Sequence, residues 1–270
     1  MSDDFQMPVG QLMAGKRGLV MGVANRNSIA WGIAAQLAAQ GAQVGLAYME
    51  ANEKRVRPLG ESIGAGLYTT FDAASDSSME AAFKTVEDEW GVIDFLVHAI
   101  AYAGRDQIKG SFVENATREG FAQALDISAY SFVDAARRGA RLMPNGGSMI
   151  TLTYLGSERA IPNYNTMGVA KAALEAATRY IARDLGPRGI RVNAISAGAM
   201  RTLSLAGISG GRSMLAQGRA LSALKEDTSM EGVAGAALWL LSDLGRSTTG
   251  EIVHVDAGFH MMGLPSGEDE

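Results

Sequence analysis

The run TLTYLGSERAIPNYNTMGVAK, Thr151 to Lys171, gathers two tyrosines and a lysine among glycines and small polar residues. Tyr164 and Lys171 are seven residues apart, and at ~100° per residue a helix carries them to nearly one face. A phenol in that position can hold the negative charge that develops on a carbonyl oxygen. An ammonium beside it can fix a nucleotide ribose and bias the phenol electrostatically. Together they are the protein groups that a hydride-transfer site requires. Tyr154, at the end of the apolar run SMITLTY, is near enough in sequence to join them. Singly, a tyrosine at a strand end is usually amphipathic packing and a helical lysine is usually solvated; the three carry the reading because they fall in one run.

A second group sits near the start of the chain. GVANRNSIAWG, Gly22 to Gly32, follows a short apolar run and opens a helical pattern. Gly22 lets the chain turn off a strand, and amides at the start of the next helix make a site for a pyrophosphate. Ser28 is placed both to cap that helix and to donate to a phosphate. The spacing departs from G-x-G-x-x-G, so a plain helix cap is the alternative. The second strand ends at Tyr48-Met49-Glu50, where such folds meet the adenosine ribose. Glu50 there accepts from a 2′-hydroxyl and repels a 2′-phosphate, which favours NAD, while Lys54 and Arg55 lie close enough to leave NADP open. Asp72, closing the third strand, can reach an adenine amino group.

These residues need a scaffold that puts strand ends and helix starts together. The chain supplies it by alternation: RGLVMGV then a helix from Ile29 to Gln40, QVGLAYM then a charged stretch to Ile63, GLYTTF then Met79 to Trp90, and IDFLVHAI then Thr117 to Leu142. SMITLTY, a helix from about Thr166 to Asp184, IRVNAI, a Gly/Ser-rich stretch, a helix from Met230 to Leu241 and EIVHVD complete it. Repeated strand–helix units mean parallel strands joined by crossover helices. The expected fold is α/β, one Rossmann-like doubly wound domain over residues 1–270 with about seven strands apolar on both faces. Its ligand is expected at the carboxyl ends of the strands. His98 and His254, inside apolar strands, are expected to be satisfied core residues. Met200, Met214, Met261 and Met262 could line an acyl channel or merely fill gaps.

Composition narrows the function. With 270 residues, 47% hydrophobic and 20% charged, the chain can build a large core. A net charge of -5 argues against nucleic acid, which needs a basic face. No cysteine and three scattered histidines leave no metal cluster to expect. No stretch reaches the ~18 apolar residues of a membrane span. MSDDFQMPVG lacks the basic start and apolar run of a secretory signal, so a cytoplasmic protein is expected.

GVANRNSIAWG, TREGFAQALDISAYSF, LTYLGSERAIPNYNTMGVAKAALEA, RVNAISAGAMRTL and EIVHVDAGF together resemble the short-chain dehydrogenase/reductase superfamily. Within it, they resemble the NADH-dependent enoyl-[acyl-carrier-protein] reductases of bacterial type II fatty acid synthesis. The most specific element is Tyr-x6-Lys. Carbonyl-reducing relatives use Tyr-x3-Lys, and position 167 is Met167, so that pair is absent. The resemblance implies reduction of a trans-2-enoyl thioester by NADH, with no metal, on a substrate carried by acyl carrier protein. It makes Tyr164 the donor to the thioester oxygen, Lys171 the ligand of the nicotinamide ribose, and Tyr154 the second active-site tyrosine. Gly22, Ser28, Ile29, Asp72, Ala73, Ile100, Lys171, Met200 and Thr202 fall on cofactor positions, and Ala103 and Tyr154 lie by the acyl substrate. Met49, Ala101 and Ala199 depart from the family's usual Gln, Gly and Pro. Residues 199–214, with Gly207, Gly210 and Gly211, read as a lid over the substrate. Arg201, Arg212, Arg219 and Lys225 flank it as a sparse basic patch for the acidic carrier. The apolar tail FHMMGL, Phe259 to Leu264, and the resemblance together point to a homotetramer. Two rival readings are a carbonyl reductase of the same superfamily and a silent dinucleotide sensor.

Overall fold

The computed structural model describes residues 7–202, 205 and 210–263. Seven strands form one parallel sheet in the order β3-β2-β1-β4-β5-β6-β7. They are β1 (Arg17–Met21), β2 (Gln43–Tyr48), β3 (Leu67–Thr70), β4 (Phe95–His98), β5 (Gly147–Thr153), β6 (Ile190–Ala197) and β7 (Ile252–Val255). Between them run α1 (Ile29–Ala39), α2 (Glu53–Ser62), α3 (Asp76–Trp90), α4 (Phe112–Asn115), α5 (Arg118–Leu125), α6 (Ser131–Arg141), α7 (Asn165–Leu185), α8 (Gly211–Leu221) and α9 (Met230–Leu241).

The period-2 alternation of the strands decides which helix covers which face. Leu19 and Met21 of β1 pack with Met79, Phe83 and Val86 of α3, Phe132 and Ala136 of α6, and Leu174 of α7. Val20, between them, turns to the other face and joins Ile33 and Leu37 of α1 with Val233, Ala237 and Leu240 of α9. Both faces of the central strands are therefore buried, as the near-continuous apolar runs imply. The outermost strand differs: β7 is only partly buried throughout, because it pairs with β6 alone.

Strand order reverses between β1 and β4, the place where such sheets open a crevice. Gly22 N donates to Ala47 O at 2.9 Å and Ala99 N to Met21 O at 3.0 Å, so pairing runs to the lip of the sheet before the chains part. The expected helix from Thr117 to Leu142 is interrupted. Thr117 caps α5 by accepting from Gly120 N, a single π-turn spans Asp126–Tyr130, and α6 resumes at Ser131. Such widened turns often mark functional sites, and this one faces the carboxyl end of β4.

Two expectations about single side chains fail. Ser28 does stand at the N-cap of α1, but its side chain makes no cap bond: its hydroxyl donates to Asn25 O at 2.6 Å, inside the loop. His254 is not a core residue. It lies on the half-buried edge strand, 3.2 Å from Glu158 Oε1 and stacked on His260.

Candidate active site

An open cleft lies at the strand carboxyl ends. The loops after β1, β4, β5 and β6 enclose it, with the first turns of α7 as its floor. Gly22, Ser28, Ile29, Ile100, Tyr154, Tyr164, Lys171, Met200 and Thr202 all line it. Residues as far apart in the chain as Gly22 and Thr202 thus meet in the crevice that the alternation implies. Asp72, Ala73 and Ala103 are not among its lining residues. Asp72 is exposed beyond β3, its Oδ1 accepting from Ala74 N at 2.9 Å. Ala103 belongs to the small apolar cluster that also holds Tyr154, Ile161, Tyr164 and Met167.

Tyr164 is the N-cap residue of α7, and Lys171 follows two turns in. Asn163 and Asn165, both at positive φ, kink the chain into the helix on either side of the tyrosine. The rings of Tyr154 and Tyr164 meet edge to face, centroids 4.9 Å apart, which fixes both where the cleft narrows. Burial pushes both phenols above the usual tyrosine range, and nearby acids, Asp256 for Tyr154 and Glu175 for Tyr164, push the same way. Each phenol is therefore protonated throughout the neutral range and able to donate.

Lys171 is buried, and its Nζ donates to Leu152 O of β5 at 2.6 Å. Loss of solvent lowers its pKa to about 8, against an opposing upward pull from Glu175. Beyond the lysine, Thr153 Oγ1 donates to Glu175 Oε1 at 2.6 Å. His98 behaves as the sequence suggests. Fully buried, it lies 2.9 Å from Thr151 Oγ1 through Nδ1 and 2.9 Å from Ser131 Oγ through Nε2, and so ties β4 to β5 and to the start of α6, just after the π-turn. Burial first, and the Lys171 charge second, lower its pKa to about 3, so the imidazole is neutral.

The cofactor side of the cleft is shaped by an absence of bulk. Gly22 has φ 100°, and a Cβ there would stand 2.2 Å from Ala99 O, so the turn admits only glycine. Ala24, Ala99, Ala101, Ala197, Gly198 and Ala199 continue the small-residue lining. A narrow trough of short side chains, with a serine hydroxyl and the first amides of α1 at one end and a buried ammonium at the other, fits an extended phosphate- and ribose-bearing ligand. Sequence reasoning passed over most of these alanines, and also Leu152, Thr153, Leu205 and Glu175. Glu175 carried a readable signal, its offset of four from Lys171; the alanines carried none.

An adjoining chamber shares Tyr154, Gly198, Ala199 and Met214 with the cleft and continues past Ile161, Leu215 and Phe259. Of the four methionines, Met200 and Met214 line the cleft. Met261 is exposed, and Met262 offers its carbonyl to Arg159 Nη1 at 3.3 Å. Neither lines the cleft or the adjoining chamber. In the expected lid, 203–204 and 206–209, which include Gly207, lie outside the described residues, as do Leu264 and the side chain of Arg212. Arg219 is engaged: its Nε and Nη2 donate to the two carboxylate oxygens of Asp227 at 3.1 and 2.8 Å.

A family model described as enoyl-(acyl carrier protein) reductase matches residues 22–260. A protein of Rhizobium meliloti (strain 1021) named enoyl-[acyl-carrier-protein] reductase [NADH] 2 is 50% identical over 256 residues, which are 94% of this chain and 95% of that one. The crystal structure of an enoyl-(acyl-carrier-protein) reductase from Anaplasma phagocytophilum in complex with NAD superposes with a TM-score of 0.93 at 49% identity, covering 97% of this chain and all of the other. The Bacillus cereus enoyl-acyl carrier protein reductase, solved with NADP+ and an indole naphthyridinone, gives 0.91 at 46% identity over 94% of this chain and all of its own.

Proposed function

Because the chain belongs to the enoyl-[acyl-carrier-protein] reductase family, we propose that its cleft is the place where NADH reduces the carbon–carbon double bond of a trans-2-enoyl thioester, with Tyr164 and Lys171 as the groups that make it work. The activity is that of an NADH-dependent oxidoreductase of fatty acid synthesis. The observation that carries the residue roles is the meeting of a buried phenol and a buried ammonium in one cleft whose opposite wall is a glycine turn with no room for a Cβ.

Bound NADH supplies the hydride that goes to the β-carbon. Lys171, held by Leu152 O, presents its remaining donors to the hydroxyls of the nicotinamide ribose. Gly22, Ser28 and Ile29 hold the pyrophosphate, Ile100, Met200 and Thr202 the nicotinamide half, and Asp72 with Ala73 the adenine. Tyr164 donates to the thioester oxygen as charge moves onto it. Its raised pKa means that it stabilises that charge by hydrogen bonding and keeps its own proton. Tyr154, packed edge-on against Tyr164, fixes the thioester's position together with Ala103, and the enolate then takes a proton, ultimately from solvent, at the α-carbon. The apolar walls exclude water from the developing charge. Within a single catalytic domain, Met200 and Met214, described residues of the expected 199–214 lid, border the acyl chain in the cleft, and the chamber past Ile161 and Phe259 receives the part of the substrate that joins the carrier.

Glu50, exposed just beyond β2, favours the 2′-hydroxyl of NADH. The acyl carrier protein approaches on the lid side, and the enzyme works as a homotetramer in the cytoplasm, where NADH is regenerated. Apolar exposure supports the oligomer: Tyr130, Val133, Val169 and Tyr180 on and beside α6 and α7, and Met261 past β7, all face solvent in the single chain. The test is NADH oxidation with crotonyl thioester, repeated with NADPH and with a simple ketone. Turnover of the enoyl thioester with NADH supports the reading. Turnover of the ketone alone would make the enzyme a carbonyl reductase, and no turnover of either would leave a dinucleotide sensor.

A further inference from the structure

Lys171 and Glu175 stand one helical turn apart on α7, both buried, and β5 meets them with consecutive residues. Leu152 offers its carbonyl to the lysine, and Thr153 donates its hydroxyl to the glutamate at 2.6 Å. Offsets of four share one helix face. Lys171 lines the cleft and Glu175 does not. An ionised carboxyl group sealed between a helix and a sheet is costly unless it is hydrogen-bonded and paired with an opposite charge. We propose that Glu175 is a positioning residue: its carboxylate, held by Thr153, is the internal counter-charge that keeps Lys171 an ammonium aimed into the cleft. The inference rests on the reading of Lys171 as the ribose ligand.

The surroundings leave this task to Glu175. Burial draws the lysine down to about 8, and Glu175 is the group that pulls it back up. From β4, His98 faces Lys171 with its own pKa lowered to about 3, so it is neutral across the working range and supplies no opposite charge. Tyr154 after β5 and Tyr164 at the start of α7 are both raised and stay protonated. Thr151 and Ser131 do not titrate and are engaged with His98. Without the Glu175 charge, the ammonium would shed its proton nearer to neutrality and lose strength as a donor to the ribose.

Two readouts on the intact protein decide the matter: the titration of the Lys171 side chain by NMR of ε-carbon-labelled lysine, and the NADH dissociation constant by equilibrium titration from pH 6 to 10. The chain has only six lysines, and the Lys171 resonance is the one lost in Lys171→Met. In Glu175→Gln the resonance should titrate about one pH unit lower, and the alkaline weakening of NADH binding should move with it, while affinity at pH 6 stays within a few-fold of the parent. Glu175→Asp keeps the charge and should keep the parent profile. Thr153→Val keeps the strand's shape but frees the carboxylate; it should move both readouts in the same direction as Glu175→Gln, and it carries the comparison if that variant fails to fold. An unmoved resonance, or equal loss of NADH affinity at every pH in the Gln and Asp variants, overturns the proposal in favour of packing. If Lys171→Met binds NADH like the parent, the ribose reading falls instead, and the resonance shift alone decides whether Glu175 is the counter-charge.

Discussion

Replacing Lys171 by Met should change how the unliganded fold responds to pH, and the size of the change follows from the lysine's burial. A lysine's ordinary pKa is 10.5, whereas that of Lys171 is lowered to about 8 by loss of solvent. Between those values the unfolded chain holds a proton that the folded chain has released. Stability therefore rises with pH through that window, and the cost of carrying a buried ammonium is fully present below pH 8. At about 1.4 kcal/mol per pH unit, the rise between pH 7 and pH 10 is about 2 to 3 kcal/mol. Met is unbranched, similar in length and uncharged, so the variant lacks this contribution. The lost bond to Leu152 O and the Glu175 carboxylate left without its partner add an offset to the comparison, but the rise itself belongs to the lysine. Urea unfolding of both proteins at matched concentration, at pH 7, 8.5 and 10, gives the difference free of the tyrosine contributions common to both. The parent should gain about 2 to 3 kcal/mol on the variant over that span. A flat difference, or one that falls with pH, would mean that Lys171 is not held as a destabilised ammonium.

Tyr164→Phe removes the donor to the thioester oxygen and should lower kcat by roughly 100- to 1000-fold, with the NADH dissociation constant and thermal midpoint little changed; steady-state kinetics beside direct titration would show it, and parental turnover would end the assignment. Gly22→Ala forces a Cβ to within 2.2 Å of Ala99 O at φ 100°; it should cost about 1 to 3 kcal/mol in denaturant unfolding and weaken NADH binding, and unaltered affinity would place the dinucleotide elsewhere. Arg219→Glu combined with Arg212→Glu should raise KM for the carrier-bound enoyl substrate several-fold, more at low salt, while leaving the coenzyme A thioester nearly unaffected. The Arg219–Asp227 pair turns repulsive in that variant, so its melting midpoint should be recorded alongside. Equal effects on both substrates would take this surface out of the carrier's path.

What the sequence makes legible here is whatever depends on local spacing. The strands declare themselves through short apolar runs, which glycine ends after β1 and β6. Gly22 marks its turn because no other residue fits against Ala99 O, and Tyr164 and Lys171 are readable as a pair because a helix of known pitch joins them. The parts that stay hidden depend on which distant segments come into contact. Thr153 meets Glu175 across 22 positions and His98 meets Thr151 across 53; neither pairing follows from spacing along one element. The π-turn at Asp126–Tyr130 is invisible in a pattern that reads as helix on both sides. His254 looks like a core residue because its strand has the apolar composition of a central one, while the sheet places that strand at its edge. Ser28 is of the right type at the right position to cap α1, yet its loop offers Asn25 O as a nearer partner.

The central claim is that this cleft delivers hydride to the β-carbon of an enoyl thioester while Tyr164 holds the oxygen. It is tested most directly by running crotonyl thioester with NADH deuterated at C4 and locating the label in the product by NMR. The account predicts a saturated thioester with one deuterium at the β-carbon, formed at parental rate only when Tyr164 and Lys171 are intact. Deuterium at the carbonyl carbon, or an unreduced thioester beside unoxidised NADH, would contradict it.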